Sequence, residues 1–297
     1  MKLTFGPHRV DVKNADKVFF PDEGITKGEV VEYYARIAET MLPHVGGRPV
    51  SMERLPDGLG GPRWYHKEAP DHFPEWIERV RVPKKGGTVN HVVVRTAADL
   101  VYLAEKACLT PHVSLAPAER LDHPDRMVFD LDPSVDDVAV LRDGARALRA
   151  LLEELGLVPF VMTSGSRGFH VTVPLAGEDD TEAVHGFAHD VARLIVARDP
   201  DRFTIEHRKA KRGDRVLVDY FRNGWAQTAV PPYAVRARPG APIAAPLDWG
   251  ELGATHAQRY TIRNVFRRLG QKPDPWRRIG RHARKLAGPR KRLDAMR

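Results

Sequence analysis

Between residues 26 and 45 the apolar positions Val30, Tyr33, Tyr34, Ile37, Ala38, Met41 and Leu42 return every three or four residues, the spacing of one helical face. Thr26 and Glu29 stand three apart at its start in the capping-box pattern, so a helix is expected to begin at Thr26 and to stop at Pro43. The same period predicts helices from Thr96 through Ala107, over 138–155 with Gly156 closing the last turn, and over 181–198 before Pro200. Elsewhere apolar and polar residues alternate with period two, or β-branched and aromatic residues run together. These stretches predict strands at 3–5, 8–12, 49–54, 78–82, 89–94, 126–132, 158–163, 169–173 and 215–221. Strands interleaved with helices predict an α/β fold.

The strand over 126–132 carries chemistry. Residues two apart on a strand share a face about 7 Å from one another, so Asp130 and Asp132 stand side by side and repel. A divalent cation that prefers hard oxygen ligands, Mg²⁺ or Mn²⁺, would compensate them; a turn with a helix cap over 134–137 is the plainer alternative. A third carboxylate, Asp219, is embedded in the apolar run 215–221, where an ionised group is costly without a partner. Three strand carboxylates suit two metal ions and an in-line phosphoryl or nucleotidyl transfer.

Other stretches fit a phosphorylated ligand less specifically. Residues 163–170, Thr-Ser-Gly-Ser-Arg-Gly-Phe-His, have the ingredients of a backbone phosphate cradle, or of a simple hairpin turn. Lys209, Lys211, Arg212 and Arg215 precede Asp219, and Arg222, Arg236 and Arg238 follow it, as metal and phosphate together would require. His112, directly after Pro111, reads as a loop histidine or a phosphate donor. Lys27 lies in a first helical turn, where the macrodipole disfavours a cation unless an anion binds there; an exposed, tolerated lysine is the alternative. Trp64 and Tyr65 sit between Arg63 and Lys67, a cluster that stacks bases or simply packs in a core. The hairpin over 78–94 has a basic tip at 83–88 with Lys84 and Lys85. His185 and His189 lack the glutamate of a zinc-peptidase motif and read as surface residues.

Composition sharpens this picture in two ways. Cys108 is the single cysteine, which excludes an internal disulfide, and no apolar run of membrane-spanning length appears, so a reducing cytoplasmic setting, associated with the nucleoid, is expected. The charge is uneven. Residues 277–297 hold nine Lys or Arg against Asp294 alone, and so carry the entire net charge of +8. Such a segment suggests sequence-indifferent nucleic-acid binding, or a solvated helix or linker end. A main domain over 1–276 and a basic C-terminal tail over 277–297 are the expected divisions.

With these motifs in order, Asp-Leu-Asp-Pro at 130–133, Ser-Gly-Ser-Arg-Gly-Phe-His at 164–170 and Val-Asp-Tyr-Phe-Arg-Asn at 218–223, the chain resembles the polymerase domain of bacterial ligase D, of the archaeo-eukaryotic primase superfamily. The resemblance covers nearly the whole chain and implies a mixed central sheet bearing the metal carboxylates, flanked by helices and a smaller strand-rich subregion. It implies a nucleotidyltransferase of DNA repair by non-homologous end joining, a templated gap filler and end extender that uses Mn²⁺ or Mg²⁺ and prefers ribonucleotides. Asp130, Asp132 and Asp219 match the metal triad. His112, Ser164, Arg167, His170, Arg212 and Arg236 match groups around the incoming NTP or dNTP; Arg54 is placed with them, although Glu53 precedes it where a basic residue is common. Arg167 replaces the usual lysine of its motif, which alters phosphate geometry. Lys17 and Lys27 match the grip on a 5′-phosphate at a gap or broken DNA end, Trp64 and Tyr65 the template contacts, and Lys84 and Lys85 the loop that holds two ends. A DNA ligase and an end-binding protein are the implied partners. A non-catalytic end-bridging module is the alternative function, and a metal-dependent nuclease a further one.

Overall fold

A computed structural model describes residues 1–134 and 137–296. The chain gathers into two units, each built from three stretches: 1–114, 230–245 and 260–274 in the first, and 115–229, 246–259 and 275 onward in the second. Within the span expected as one domain there are thus two cores.

The first unit opens with the antiparallel hairpin β1 (Lys2–Phe5) and β2 (His8–Asp11), then the short pair β3 (Val18–Phe20) and β4 (Ile25–Thr26), which leads into α1 (Lys27–Val45). The cap is reciprocal: Glu29 N–H donates to Thr26 Oγ1 (3.2 Å) and Thr26 N–H donates to Glu29 Oε2 (2.8 Å). The helix runs two residues past Pro43 to Val45, because a proline in a last turn removes a single intrahelical bond. Its apolar face is buried as the period predicts, and Tyr34 anchors it by donating to Leu109 O (2.6 Å) and accepting from Val235 N–H (3.1 Å).

The sheet of this unit contains β5 (Arg48–Arg54), β6 (Trp64–His66), β7 (Arg79–Lys84), β8 (Gly87–Val94) and, after α2 (Ala97–Glu105), β9 (Cys108–Ser114). The strand order is β9-β5-β8-β7, antiparallel, with β6 against the end of β5. Lys84 pairs with Gly87, so the expected six-residue hairpin tip contracts to Lys85 and Gly86, with Gly86 in the left-handed region (φ 80°). His112 lies within β9 opposite Ser51 and not in a loop.

The second unit has a mixed sheet ordered β13-β14-β10-β12-β11-β16. Its members are β10 (Arg126–Asp132), β11 (Phe160–Thr163), β12 (Phe169–Pro174), β13 (Phe203–Thr204), β14 (Val216–Asp219) and β16 (Pro246–Leu247), while β15 (Thr228–Ala229) lies between β14 and β16 in sequence. Among the described strand pairs of this sheet, β13 and β14 run parallel and the others antiparallel. Helices α3 (Val138–Glu154) and α4 (Thr181–Arg198) bury Leu141, Leu148, Leu152, Phe187, Val191 and Ile195 in this unit's core. Of the last two helices, α5 (Val265–Gln271) belongs to the first unit and α6 (Ala287–Ala295) to the second. The described part of the basic C-terminal segment is therefore folded structure, with Ile279, Leu286 and Leu293 buried; Arg297, counted in that segment's charge, lies outside the described residues. No helix among the described residues is long and apolar enough to cross a membrane.

Asn223 closes the end of β10. Its Oδ1 accepts from Val128 N–H (2.8 Å), and its Nδ2 donates to Val128 O (2.8 Å) and Tyr220 O (2.7 Å), all buried. Asn223→Ala strips those backbone groups of partners and should cost about 2 kcal/mol or more of stability, read as a lower urea midpoint with an unchanged m-value.

Candidate active site

Strand register assembles the carboxylates. Asp130 is the Cα partner of His170 on β12 and of Asp219 on β14, so the three lie in one row across adjacent strands. Asp132, two residues on, shares the face of Asp130. Each member has its own contact: His170 Nε2 is 3.4 Å from Asp130 Oδ1, an Arg167 guanidinium nitrogen is 3.8 Å from Asp132 Oδ1, and His207 Nε2 is 3.9 Å from Asp219 Oδ1. Asp219 Oδ1 also accepts the Phe221 N–H at 2.8 Å. His207 gave no signal in the sequence, because its place beside Asp219 follows from the turn that precedes β14.

At Asp132 these contacts do not outweigh burial and the neighbouring charge. Burial raises the pKa of the Asp132 carboxyl and the Asp130 charge raises it further, while Arg167, His170 and Arg212 act in the opposite direction. Among the described residues no three His, Cys, Asp or Glu side chains converge closely enough to hold a metal ion as they stand. The donors nonetheless fit a hard divalent cation: they are all carboxylate oxygens, they share a sheet face, and their crowding leaves negative charge only partly compensated.

The 163–170 motif is held from within. Ser164 Oγ accepts N–H groups from Ser166 (3.1 Å) and Gly168 (3.0 Å), and Ser164 N–H donates to Gly168 O (2.9 Å). Gly165 takes φ 63°, and a Cβ on Gly168 would lie 1.8 Å from Leu131 O, so only glycine lets this loop rest on β10. Ser164 is buried and acts as the loop's organiser, while Arg167 is exposed. Gln258, which no pattern singled out, donates to Ser166 O (2.8 Å) and lines a cavity of about 470 Å³ with Ser134, Ser166, Arg167 and His256. Arg212 is buried and spends its guanidinium on Glu206 O (2.8 Å) and His207 O (2.7 Å), which fixes the turn leading to β14.

The remaining expected site residues lie on the first unit: a cluster around Glu53; Arg236 and the hairpin lysines, taken singly; and a third group at a cavity. Around Glu53, His112 Nε2 stands at 3.3 Å, the Tyr65 hydroxyl donates at 3.1 Å and Arg63 lies at 3.2 Å. Burial opposes the Glu53 charge, but His112, Thr110 and Arg63 outweigh it and hold the carboxyl at about 2. Trp64 and Tyr65 are exposed, 43% and 59%, and so are free of the core role that strand aromatics often have. Arg236 is half-buried, its N–H bonded to Pro242 O (2.8 Å). Lys84 and Lys85 are exposed at the hairpin turn.

The third group lines a cavity of about 250 Å³ with Lys17, Lys27, Arg54, Lys106, Asn14 and Glu105. Arg54 is thus gathered with Lys17 and Lys27. Lys27 is neither exposed nor loosely held: it is buried, donates to Lys13 O (2.8 Å) and lies 3.3 Å from Glu105. Lys17 is more open and meets Asp57 at 2.5 Å.

Comparison with known proteins gives this arrangement its class, that of the DNA-directed nucleotidyltransferases with a primase-polymerase fold. The family described as "LigD, primase-polymerase domain" matches residues 26–276. The multifunctional non-homologous end joining DNA repair protein LigD of Mycobacterium tuberculosis (strain H37Rv) is 34% identical over 280 residues, 91% of this chain and 37% of that protein. The corresponding LigD of Pseudomonas aeruginosa is 31% identical over 293 residues, 96% of this chain and 34% of that protein. The solved polymerase domain of Mycobacterium tuberculosis Ligase D in complex with DNA superposes with a TM-score of 0.86 at 33% identity, covering 93% of this chain and 99% of that one. The chain belongs to the LigD primase-polymerase domain family, and it spans little more than a third of those LigD proteins.

The raised Asp132 pKa has a consequence for stability. The folded chain holds that proton more tightly than the unfolded chain, so this group's contribution falls as pH rises from the ordinary carboxylate range through the raised value. Asp132→Asn removes the liability and should stabilise the cation-free protein by about 0.5–2 kcal/mol at pH 7, with a smaller gain at pH 4, in urea unfolding at both values.

Proposed function

We propose that this chain performs templated nucleotidyl transfer at gaps and broken ends of DNA, with a preference for ribonucleotides. The observation that carries this reading is the carboxylate row set by the pairing of Asp130 with Asp219. A protein that only bridged DNA ends would gain nothing from mutually repelling carboxylates on one face. The primer 3′-oxygen attacks the α-phosphorus of the nucleotide, the bond to the β-phosphate breaks, and pyrophosphate leaves.

Asp130, Asp132 and Asp219 would hold the divalent cation, Mn²⁺ or Mg²⁺. When bound, it supplies Lewis acidity that lowers the pKa of the attacking hydroxyl and neutralises phosphate charge. His170, packed against Asp130, keeps that carboxylate oriented. Arg167 offers an exposed guanidinium beside Asp132 for the triphosphate, and the Ser164 loop keeps it there. Arg212 acts indirectly, by fixing the approach to β14 and adding positive charge near Asp132. His112 and Arg236 are proposed phosphate contacts, and Trp64 and Tyr65 stacking surfaces for template bases. Lys84 and Lys85 would add charge at a DNA contact.

The cavity with Lys17, Lys27 and Arg54 is proposed to take the DNA 5′-phosphate. Arg54, assigned to the nucleotide by resemblance, fits this second anion better by its position. Glu105 holds Lys27 in place until the phosphate arrives, which limits the rearrangement that binding requires. A DNA ligase and an end-binding protein are proposed partners by analogy with the relatives' names.

Primer extension across a short gap with a 5′-phosphate tests the central reading. Templated addition should require Mn²⁺ or Mg²⁺ and stop on chelation. Asp130→Ala should lower the rate at least about 10³-fold while duplex binding persists, and Mn²⁺ should raise the melting temperature of the wild type but not of the variant. Extension by Asp130→Ala at the wild-type rate would refute the assignment.

The Lys17→Ala, Lys27→Ala double variant should lose the difference in affinity between gaps with and without the 5′-phosphate, about 2–4 kcal/mol for two charge-assisted contacts. An undiminished difference, measured by anisotropy, would place the phosphate elsewhere.

A further inference from the structure

The charge of the C-terminal segment remains to be explained, and its arginines differ sharply in how they are used. Arg290 is paired with Asp190 (2.8 Å) and Asp294 (2.5 Å), Lys285 with Glu178 (2.7 Å), and Arg292 donates to Leu155 O (2.8 Å). Arg277, Arg278, Arg281 and Arg284 are all exposed, and among the described residues none of them meets a carboxylate. The first set is thus tied to carboxylates or to a distant backbone carbonyl, whereas in the second, among the described residues, the one side-chain bond is local, from Arg284 to Ala283 O (3.0 Å).

The backbone beneath this second set is fixed. Trp276 is 1% exposed and meets the Phe160 ring edge-on at 6.0 Å, and His282 packs on the same ring at 5.5 Å. Ile279 and Leu286 are buried on either side. Ala176 N–H donates to Arg284 O (3.0 Å) and Arg284 N–H to Pro174 O (3.3 Å), so the segment continues the edge of β12. Arg278 is the N-cap of a 3₁₀ turn (Ile279–His282) and Arg281 lies within it; residues three apart in such a turn share a face about 6 Å from one another.

We propose that Arg277, Arg278, Arg281 and Arg284 form a phosphate-backbone contact for nucleic acid, separate from the carboxylate row and at the far end of the same sheet. This inference rests on the reading of DNA as the partner. Pro174 is four residues along β12 from His170, about 13 Å, so the ridge does not reach the reacting atoms. It lengthens the footprint on DNA and adds affinity without sequence preference. Four like charges held apart on anchored backbone bind a polyanion without the ordering cost of a disordered arm. Arginine suits phosphate through its planar donor fork.

The test is fluorescence anisotropy with a labelled 40-base-pair duplex between 50 and 200 mM NaCl. It compares the wild type with a variant carrying Arg277→Ala, Arg278→Ala, Arg281→Ala and Arg284→Ala, and with the matching four Arg→Lys substitutions. For the alanine variant the slope of log affinity against log salt should fall by about 3 to 4, with binding at least about tenfold weaker at 50 mM NaCl. The lysine variant should keep most of the slope, which distinguishes lost charge from lost folding. An alanine variant with the wild-type slope would overturn the proposal, including the case in which the ridge serves an acidic protein instead. A lysine variant that loses as much as the alanine variant would overturn it too, by assigning the arginines a structural role. A wild-type chain that binds duplex but extends no primer would refute the polymerase reading and leave the ridge standing.

Discussion

The register of one strand sets the carboxylate row on which the proposed chemistry depends. β10 places Asp130 between His170 and Asp219, while its alternate residues Phe129 and Leu131 enter the core with Phe169, Val171 and Val218. A slip by one residue would exchange the two faces, burying the carboxylates among apolar side chains and exposing the aromatic ones. The hydrophobic core therefore sets the register, and the register sets the spacing of the acids. Asn223 seals the arrangement at Val128, where β14 no longer pairs with β10 and the freed backbone needs another partner. The carboxylate row is thus maintained by interactions made elsewhere on the sheet.

Much of this was readable from residue order, because local chemistry dictated it. The capping box of Thr26 and Glu29, the helix over 181–198 and the adjacency of Asp130 and Asp132 depend on neighbours in sequence, and the structure has all three. Where tertiary pairing decided, the reading went astray. Pro111 made His112 look like a loop residue, yet β9 accommodates the proline opposite Met52 and carries His112 in the strand. Arg54 could be grouped with Lys17 and Lys27 only once β5 and the start of α1 were brought to one cavity. Gln258 reaches Ser166 from 92 residues away and His207 reaches Asp219 through the turn before β14, and no residue pattern marks either.

Two residue types also proved to act differently from their usual chemistry. Ser164 uses its hydroxyl to gather the N–H groups of Ser166 and Gly168, so the motif's serine shapes the loop that presents Arg167. Lys27 is buried against Glu105, a pairing that keeps the ammonium aimed into its cavity while the first turn of α1 contributes amide dipoles nearby. In both places the fold spends a polar group on holding another in position, the kind of preorganisation that the proposed sites would use.

Each unit is made of three separated stretches, so the polypeptide passes from one unit to the other and back repeatedly. His44 and Asp274, for example, meet within the first unit at 2.6 Å although 230 residues separate them in sequence. During synthesis the first unit cannot close its core when its opening 114 residues emerge; it must wait for material made after most of the second. Folding is consequently late and dominated by distant contacts, which slows it, and no single cut of the chain releases either unit whole.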